Sequence, residues 1–405
     1  MNNGDTAWIL ISSALVMLMT PGLAFFYGGM VRKKNILSVL MQCFTILALI
    51  SIQWVLFGYS IAFSKGNGFF GYLEWFGLKN IGFGTGPYSD TIPHIIFVMF
   101  QAMFAIITPA LIVGTFVERM KFSFFVLFTL LWATFIYDPV CHWIWAKDGW
   151  LATNGILDFA GGTVVHINAG ISALAIALLI GKRRNTNLGS TPHNLVFTLL
   201  GVSLLWFGWF GFNAGSALAA NGLAANAFLV TNTAAAAASL SWIFMEQIFL
   251  GKPTTLGMAT GIVAGLVAIT PASGFVDGTG AILIGLFVSP VCFVIVTSVK
   301  KIFGYDDTLD VFGIHGIGGI IGAILTGLFA NPEINELGKG VIFGNMNQIW
   351  IQIFSVVVVI LYSFIGTTII FKILNIFIKA RVEENEEALG LDLSEYNERA
   401  YTLIE

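Results

Sequence analysis

The feature that most constrains this chain is a series of eleven long apolar runs that together occupy most of its 405 residues. Each run is near the roughly 20 residues that an α-helix needs to cross a hydrocarbon core about 30 Å thick. Only 10% of the residues are charged, against roughly 25% in a soluble domain. We therefore expect an all-α integral membrane protein with eleven transmembrane helices. The runs lie at 6–31, 36–63, 92–117, 122–140, 159–181, 193–219, 225–250, 255–273, 278–300, 311–330 and 346–379.

The distribution of positive charge predicts the orientation of the chain. The loops after runs 1, 3, 5, 7 and 9, together with the carboxyl-terminal region, hold 15 of the 19 lysines and arginines. The other loops hold four, although they include the longest ones. Because basic loops stay in the cytoplasm, we predict an outside amino terminus, a cytoplasmic carboxyl terminus and residence in the cytoplasmic membrane.

The chain is expected to form a membrane domain over 1–380 and an acidic cytoplasmic tail over 381–405. The tail is either a docking segment or a solvated end. The net charge of −3 does not favour nucleic acid as a partner. The three cysteines, at 43, 141 and 292, are far apart in sequence, so the spacing suggests no metal or disulfide framework.

Two short patterns recur at a distance of five runs. The tetrapeptide at 107–110 returns at 269–272, and the Asp–Gly–His pattern around His166 returns around His315. Because five is odd, the second copy would be inverted in the membrane. We predict repeats over about 6–181 and 193–330, followed by a long last helix over 346–379; chance similarity is the alternative. We also expect Pro21 and Pro109 to break their helices.

Two of the five histidines lie deep inside apolar runs and are candidate functional residues. His166 and His315 are surrounded by glycine and other small residues, which would let a neighbouring helix or a narrow lumen come close. An inert hydrogen bond between helices is the alternative for either residue alone. Burial favours an uncharged imidazole, which can bind a small polar molecule and pass a proton. His94, His142 and His193 lie near the ends of runs, where we expect solvated, unremarkable roles.

An aspartate precedes each of these histidines near the start of its helix. Asp158 lies eight residues before His166, and Asp310 lies five residues before His315. N-capping of the first turn is the simpler interpretation, and it is favoured for Asp310. Asp158 would also contribute negative potential at the outer mouth of a passage, or hold the backbone around an entry site.

Aromatic residues form a third group. Phe100 and Phe104 are four residues apart and therefore lie on one helical face. Most tryptophans of a membrane protein belong to interfacial belts, but an aromatic cage beside the hydroxyl of Ser216 would bind a small cation. The other members of the group are Trp206, Trp209 and Phe212, with Trp143 and Trp145 placed in the loop before run 5.

The segment 158–170, Asp-Phe-Ala-Gly-Gly-Thr-Val-Val-His-Ile-Asn-Ala-Gly, resembles the signature of the ammonium transporter family (Amt/Mep/Rh), in its bacterial and archaeal Amt branch. Further matches lie at 21–29, 208–216 and 310–316. The resemblance covers nearly the whole chain. It implies eleven helices per subunit, a homotrimer with one pore per subunit, and ammonium and methylammonium as substrates, without a cofactor, a metal or catalysis.

The resemblance also implies roles for individual residues. Phe104, Trp145 and Ser216 would form the outer recruitment site, with Phe100 nearby and Asp158 in support. The implied gate is Phe104 with Phe212, and the implied pore-lining residues are His166, His315 and Trp209. Gly390, Leu391 and Asp392 resemble the segment that couples subunits and meets a PII-type regulator.

The sequence departs from the family pattern at one place, and two alternatives to a transporter are compatible with it. Lys147 and Asp148 follow Trp145 where relatives are more often glycine-rich, which affects how a cation would be attracted. An ammonium sensor is one alternative, although such sensors usually carry an appended signalling domain. A membrane enzyme with histidine-bound metal or haem is the other, although the usual metal-binding helix motif is missing from the sequence.

Overall fold

The computed structural model describes residues 1–184 and 192–401. Within these ranges, ten helices are long and apolar enough to cross a membrane, and an eleventh apolar helix is shorter. Each overlaps a predicted run, although α4 continues to Thr153, well past the end of its run at 140. The chain is a multi-pass membrane protein. The helices are α1 (Asn3–Met30), α2 (Ile36–Phe63), α3 (His94–Phe116), α4 (Phe122–Thr153), α5 (Gly162–Ile180), α6 (Leu195–Gly215), α7 (Gly222–Phe249), α8 (Thr255–Ile269), α9 (Gly278–Phe303), α10 (Phe312–Phe329) and α11 (Asn347–Phe377).

Short elements connect and follow these helices. A two-stranded antiparallel sheet, β1 (Thr85–Gly86) and β2 (Ser89–Pro93), lies between α2 and α3. Two short helices, α12 (Glu384–Leu389) and α13 (Leu391–Ser394), form the tail. Helix α4 is interrupted briefly after Trp145, so Trp143 and Trp145 belong to a helical turn and not to the loop in which we expected them.

The prediction that two prolines break their helices is wrong. Pro21 lies inside the continuous α1, and Pro109 lies inside the continuous α3. A proline removes one backbone donor from the helical ladder, and packing against neighbouring helices tolerates that loss. Nearly every residue from His94 to Phe116 is buried, so contacts on all sides keep α3 helical through Pro109.

In the part of the chain that the structure describes, five π-helical segments interrupt the regular helices. The segment Gly162–Ile167 carries His166, and the segment Phe312–Gly316 carries His315. Helices α4 and α9, which are also five apart, each contain one, at Ala133–Tyr137 and Ile295–Val299. The fifth is Trp54–Gly58 in α2. π-Helical turns are often found at functional sites, and their matched positions support the predicted repeat.

Small residues let the central helices approach closely. A Cβ atom on Gly170 of α5 would lie 2.1 Å from the backbone nitrogen of Gly316 in α10. Any side chain at Gly170 would therefore separate the two helices that carry the histidines. By contrast, one face of α11 exposes a row of large apolar side chains that suits contact with lipid. This row comprises Trp350, Phe354, Val357, Leu361, Ile365 and Ile369.

The helix ends form two faces, which we name after a residue on each. On the Trp145 face, loops meet through backbone hydrogen bonds such as Phe159 N–H to Pro271 O (3.2 Å) and Asn331 N–H to Phe275 O (2.8 Å). On the Arg119 face, the loops that we predicted to be cytoplasmic meet one another through ion pairs. The side chain of Arg32 binds Glu118, and that of Arg183 binds Asp306 at 2.9 Å.

The tail packs against the Arg119 face of the same chain. The backbone N–H of Leu391 donates to Asn35 Oδ1 at 2.8 Å, and the N–H of Ser38 donates to Asp392 Oδ1 at 2.8 Å. Burial raises the pKa of Asp392. Gly390 has a φ of +104°, a conformation that other residues rarely adopt.

Candidate functional site

Two histidine rings meet in the centre of the bundle. The Nδ1 atoms of His166 and His315 are 3.2 Å apart, and the ring centroids are 5.3 Å apart with planes inclined by 24°. The two residues are 1% and 4% exposed. Because one Nδ1 must donate and the other accept, a neutral pair shares one hydrogen between these atoms. Within the described residues, Nε2 of His166 has no hydrogen-bond partner, so it is free to bind a small molecule.

Two aromatic rings of helix α6 pack against the ring of His166. The ring of Trp209 stacks on it with centroids 5.4 Å apart and planes inclined by 20°, and Phe212 lies at 6.1 Å. The indole N–H of Trp209 donates to Thr270 Oγ1 at 2.9 Å. This hydrogen bond fixes the orientation of the indole, whose polar edge is therefore occupied and whose apolar face covers the imidazole.

Two phenylalanines separate the histidines from the Trp145 face. The rings of Phe104 and Phe212 have centroids 4.3 Å apart and planes inclined by 34°. Phe104 also meets the edge of Phe100 at 5.0 Å and the ring of Trp145 at 5.6 Å. Phe104 and Phe212 are at most 1% exposed. The aromatic residues expected at the recruitment site and at the gate thus form one contiguous group above His166.

Asp158 caps the start of α5. Its two carboxylate oxygens accept four backbone hydrogen bonds of 2.7–3.1 Å, and its own carbonyl oxygen accepts the indole N–H of Trp145 at 2.9 Å. The expectation of capping is confirmed for this residue. Asp158 therefore holds the turn that carries His166 and also orients Trp145. The four donors are the N–H groups of Gly161, Gly162, Thr163 and Val164.

Ser216 lies one turn beyond Phe212, at the end of α6. Its hydroxyl donates to the carbonyl oxygen of Phe212 at 2.9 Å, and the residue is partly exposed. A hydroxyl oxygen that donates one hydrogen bond keeps its lone pairs, so Ser216 presents an acceptor next to the phenylalanine pair.

The expectation that Asp310 caps α10 is wrong. The N–H of Phe312 donates to Asp307 Oδ2 at 2.7 Å, whereas Asp310 Oδ1 pairs with Lys300 Nζ at 2.6 Å. The lysine is available because α9 ends beside this turn, so it competes for the carboxylate that would otherwise cap. Asp310 has a φ of +60°, and burial raises its pKa to about 6, against the opposing effect of Lys300. Sequence reasoning missed Asp307 and Lys300, although the acidic pair at 306–307 was a signal for a cap.

Two small cavities follow one another past the histidines. The first, of about 10 Å³, is lined by apolar side chains, Trp209, Phe212 and both imidazoles. The second, of about 60 Å³, extends from His315 to Asp310. They share Phe26, Val263 and His315. Since one water needs about 10–15 Å³, the first cavity admits only a molecule of that size.

The prediction of solvated roles for the other histidines is wrong for two of them. His94 bonds to the hydroxyl of Tyr59 at 2.6 Å and His142 to the carbonyl oxygen of Ala62 at 3.1 Å, and both are buried. They are covered because the long segment between α2 and α3 folds over the helix ends, which helix periodicity does not reveal. His193 is partly exposed and bonds to the hydroxyl of Tyr401 at 2.9 Å.

Asp148, one of the two residues after Trp145 that depart from the family pattern, has a structural role. Asp148 Oδ2 accepts the N–H of Gly66 at 2.7 Å, and Oδ1 lies 3.8 Å from His142 Nε2. Asp148 thus ties the segment after α2 to the end of α4. One of its carboxylate oxygens is thus engaged by a backbone N–H of the protein itself.

Comparison with known proteins finds relatives along the whole chain. The model of the Ammonium Transporter Family matches residues 7–401. The chain is 53% identical over 402 residues to an ammonium transporter from Bacillus subtilis, covering 99% of each protein. It is 50% identical to an ammonium transporter from Aquifex aeolicus, over 100% of this chain and 94% of that one. The crystal structure of Mep2 from Candida albicans superimposes with a TM-score of 0.90 at 35% identity, over 99% of this chain and 90% of that one.

The family model covers almost the entire chain, and the identity to the curated relatives is far above that expected for unrelated membrane proteins of similar composition. This chain belongs to the ammonium transporter family.

Proposed function

We propose that this protein carries ammonium nitrogen across the cell membrane by conducting ammonia through the subunit. Ammonium binds first on the Trp145 face, against the rings of Phe100, Phe104 and Trp145 and the hydroxyl of Ser216. Cation–π contacts of about 0.5–2 kcal/mol each would retain the cation. The buried carboxylate of Asp158 adds negative potential and keeps Trp145 in position through the 2.9 Å hydrogen bond to its carbonyl oxygen.

The gate is the pair formed by Phe104 and Phe212. Because their centroids are only 4.3 Å apart, one ring must rotate before anything passes. Beyond it the passage is apolar and admits only a molecule of about the size of water, so a cation would have to lose its hydration there. Ammonium instead gives up a proton and continues as neutral ammonia, and the proton travels along the imidazoles.

The single observation that supports this mechanism best is the direct contact of His166 with His315 at the junction of the two cavities. Ammonia has three N–H donors and one lone pair, and a neutral imidazole offers one donor and one acceptor. Trp209 covers His166 and leaves its Nε2 as a free polar atom. Potassium has no proton to release, and two imidazoles cannot replace its hydration shell. The passage therefore discriminates by chemistry and not by diameter alone.

We further propose a homotrimer with one lumen per subunit, with the Arg119 face in the cytoplasm of the cell. The tail would couple subunits and meet a PII-type signalling protein through the segment at Gly390, Leu391 and Asp392. The support for this is the family resemblance together with the docking of Leu391 and Asp392 near the start of α2. A partner that moved the tail would therefore move α2 and the loop that follows α1.

The experiment that tests this function is the measurement of current and methylammonium flux in proteoliposomes under an ammonium gradient, with potassium as competitor. The double variant H166A/H315A should lose flux or lose its preference over potassium. Unchanged uptake and selectivity in this variant would remove the mechanism. Ammonium binding without any flux in the native protein would favour a sensor, and stoichiometric metal in the purified protein would favour an enzyme.

A further inference from the structure

We propose that Lys300 is a tethered cation that occupies the carboxylate of Asp310 and thereby keeps free cations from binding at the Arg119-side mouth of the lumen. This inference rests on the proposed function. It assigns a selectivity role to a lysine on α9 and to an aspartate that precedes α10.

Asp310 lies at the edge of the cavity that follows His315. Its side chain lines the cavity of about 60 Å³ that His315 also lines, and it is 28% exposed. Asp310 is thus the acidic residue that lines this cavity among the described residues. A carboxylate at this place would attract any cation that formed at, or arrived at, the mouth.

The backbone of Asp310 shows that its position is held by its surroundings. Its φ of +60° is uncommon for a residue other than glycine and is tolerated best by asparagine and aspartate. An aspartate before a helix usually caps the first turn, but here Asp307 accepts the N–H of Phe312. Asp310 is therefore not needed as a cap. The carboxylate of Asp310 is therefore committed to its ion pair with Lys300.

The partner of Asp310 has the chemistry of the substrate. Lys300 Nζ lies 2.6 Å from Asp310 Oδ1 and 2.5 Å from the carbonyl oxygen of Asp307. A lysine ammonium is a primary alkylammonium with three donors, as methylammonium is. The lysine therefore occupies the acceptors that ammonium or methylammonium would use at this mouth.

The neighbouring charges leave Lys300 as the cation that neutralises this carboxylate. Asp306 forms ion pairs with Arg183 at 2.9 Å and with Arg119 at 3.5 Å. Within the described residues, Oδ1 of Asp307 has no hydrogen-bond partner. Removal of Lys300 would leave the carboxylate of Asp310, which lines the cavity, without an ion-pair partner among the described residues, because Arg183 is paired with Asp306. Potassium or ammonium would then be retained by the charge of Asp310.

The test uses the full-length protein in proteoliposomes and compares methylammonium flux in potassium chloride with flux in choline chloride of equal ionic strength, present on both sides. Choline is too large for the cavity, and the equal ionic strength removes differences in screening. We expect the native protein to show the same flux in both salts. K300M should lose flux by about threefold or more in potassium relative to choline.

Three further variants separate the proposal from a structural defect. K301M is the matched control, because Lys301 is exposed and forms no ion pair among the described residues; it should behave as the native protein does. K300R keeps the positive charge and should also be insensitive to potassium. K300M/D310N removes both charges and should lose the sensitivity that K300M gains. K300Q, which keeps a donor for the carbonyl of Asp307, replaces K300M if that variant does not fold.

The outcomes are decisive in both directions. Equal flux of K300M or K300Q in the two salts would overturn the proposal, and so would potassium sensitivity that persists in K300M/D310N. Absence of flux in the native protein would instead refute the proposed function, so the two failures are distinguishable.

Discussion

The two mouths of the proposed lumen use an acidic residue in opposite ways. On the Trp145 side, the carboxylate of Asp158 is satisfied by four backbone N–H groups and lies beneath aromatic rings. On the Arg119 side, the carboxylate of Asp310 pairs with Lys300, and the cap is supplied by Asp307. An aspartate before a histidine therefore has no fixed role, because its role depends on which donors the fold brings to it.

The mouths also differ in the interactions that hold them together. Aromatic contacts around Phe104 and backbone hydrogen bonds form the Trp145 side. Ion pairs among Glu118, Arg183 and Asp306 form the Arg119 side. Aromatic contacts are insensitive to pH and salt, whereas ion pairs respond to both. The two mouths should therefore lose their structure under different conditions of pH and salt.

The largest expected effect is on stability and comes from Asp158. The D158A variant leaves four buried N–H groups without their acceptor, and we expect a loss of about 3 kcal/mol. D310N should cost only about 1 kcal/mol, because the pair with Lys300 is partly exposed and such pairs contribute little. Thermal denaturation of both variants in the same detergent measures the difference. Equal destabilisation would mean that the two carboxylates are equivalent after all.

A smaller effect should distinguish the Arg119 face by its pH dependence. Burial raises the pKa of Asp306, but hydrogen bonds from Arg183 and the charge of Arg119 outweigh it and bring the pKa down from 3.8 to about 2. A carboxylate whose pKa is lower in the folded state than in the unfolded state stabilises the fold at pH values above its unfolded pKa. This stabilisation is lost as the pH falls through about 2. The free energy of unfolding of the native protein should exceed that of D306N by about 2 kcal/mol at pH ~6 and by roughly half of that at pH ~3. Denaturation curves that differ equally at both pH values would contradict this.

The next effect concerns binding at the aromatic mouth. W145A removes one ring of the proposed cation site, and we expect the KM for methylammonium to rise by about 2- to 30-fold. W145F keeps a ring but loses the hydrogen bond to the carbonyl oxygen of Asp158, so its effect should be intermediate. Trp350, which is 66% exposed on α11, supplies the control W350A. A W145A variant with native KM would place the recruitment site elsewhere.

The smallest effect is expected from an exposed ion pair on the same face as Asp306. Arg184 and Glu384 approach to 3.9 Å, and their side chains are 47% and 90% exposed. Because exposed pairs contribute little, E384Q should change the free energy of unfolding by less than about 0.5 kcal/mol. A larger change, measured by thermal denaturation, would show that the Arg119 face depends on the tail more strongly than its buried pairs indicate.

The features that follow from local sequence were predictable, and those that depend on distant partners were not. Hydrophobic runs located the helices, and burial of a polar group in an apolar run singled out His166 and His315. The capping role of Asp158 was also foreseen, since the helix begins a few residues later. The continuity of α3 through Pro109 was not foreseen, because it depends on neighbours that are far away in sequence.

The remaining errors have the same origin. Lys300 lies ten residues before Asp310, and no periodicity signals that it bends back onto that residue. His142 was expected to be solvated, but the segment carrying Gly66 is held over it through Asp148. In each case a loop folds back on a helix end, which a pattern within the helix cannot encode.

The contact between Gly170 and Gly316 has a consequence for how proteins of this architecture diversify or are redesigned. The separation of α5 and α10 is set here by two main chains in contact, so it does not depend on which side chains line the cavity beside the histidines. Exchanging a lining side chain would change the shape and polarity of that cavity while the two helices kept their distance. Drawing His166 and His315 apart would instead require these backbones to separate, as any side chain at Gly170 would force them to do.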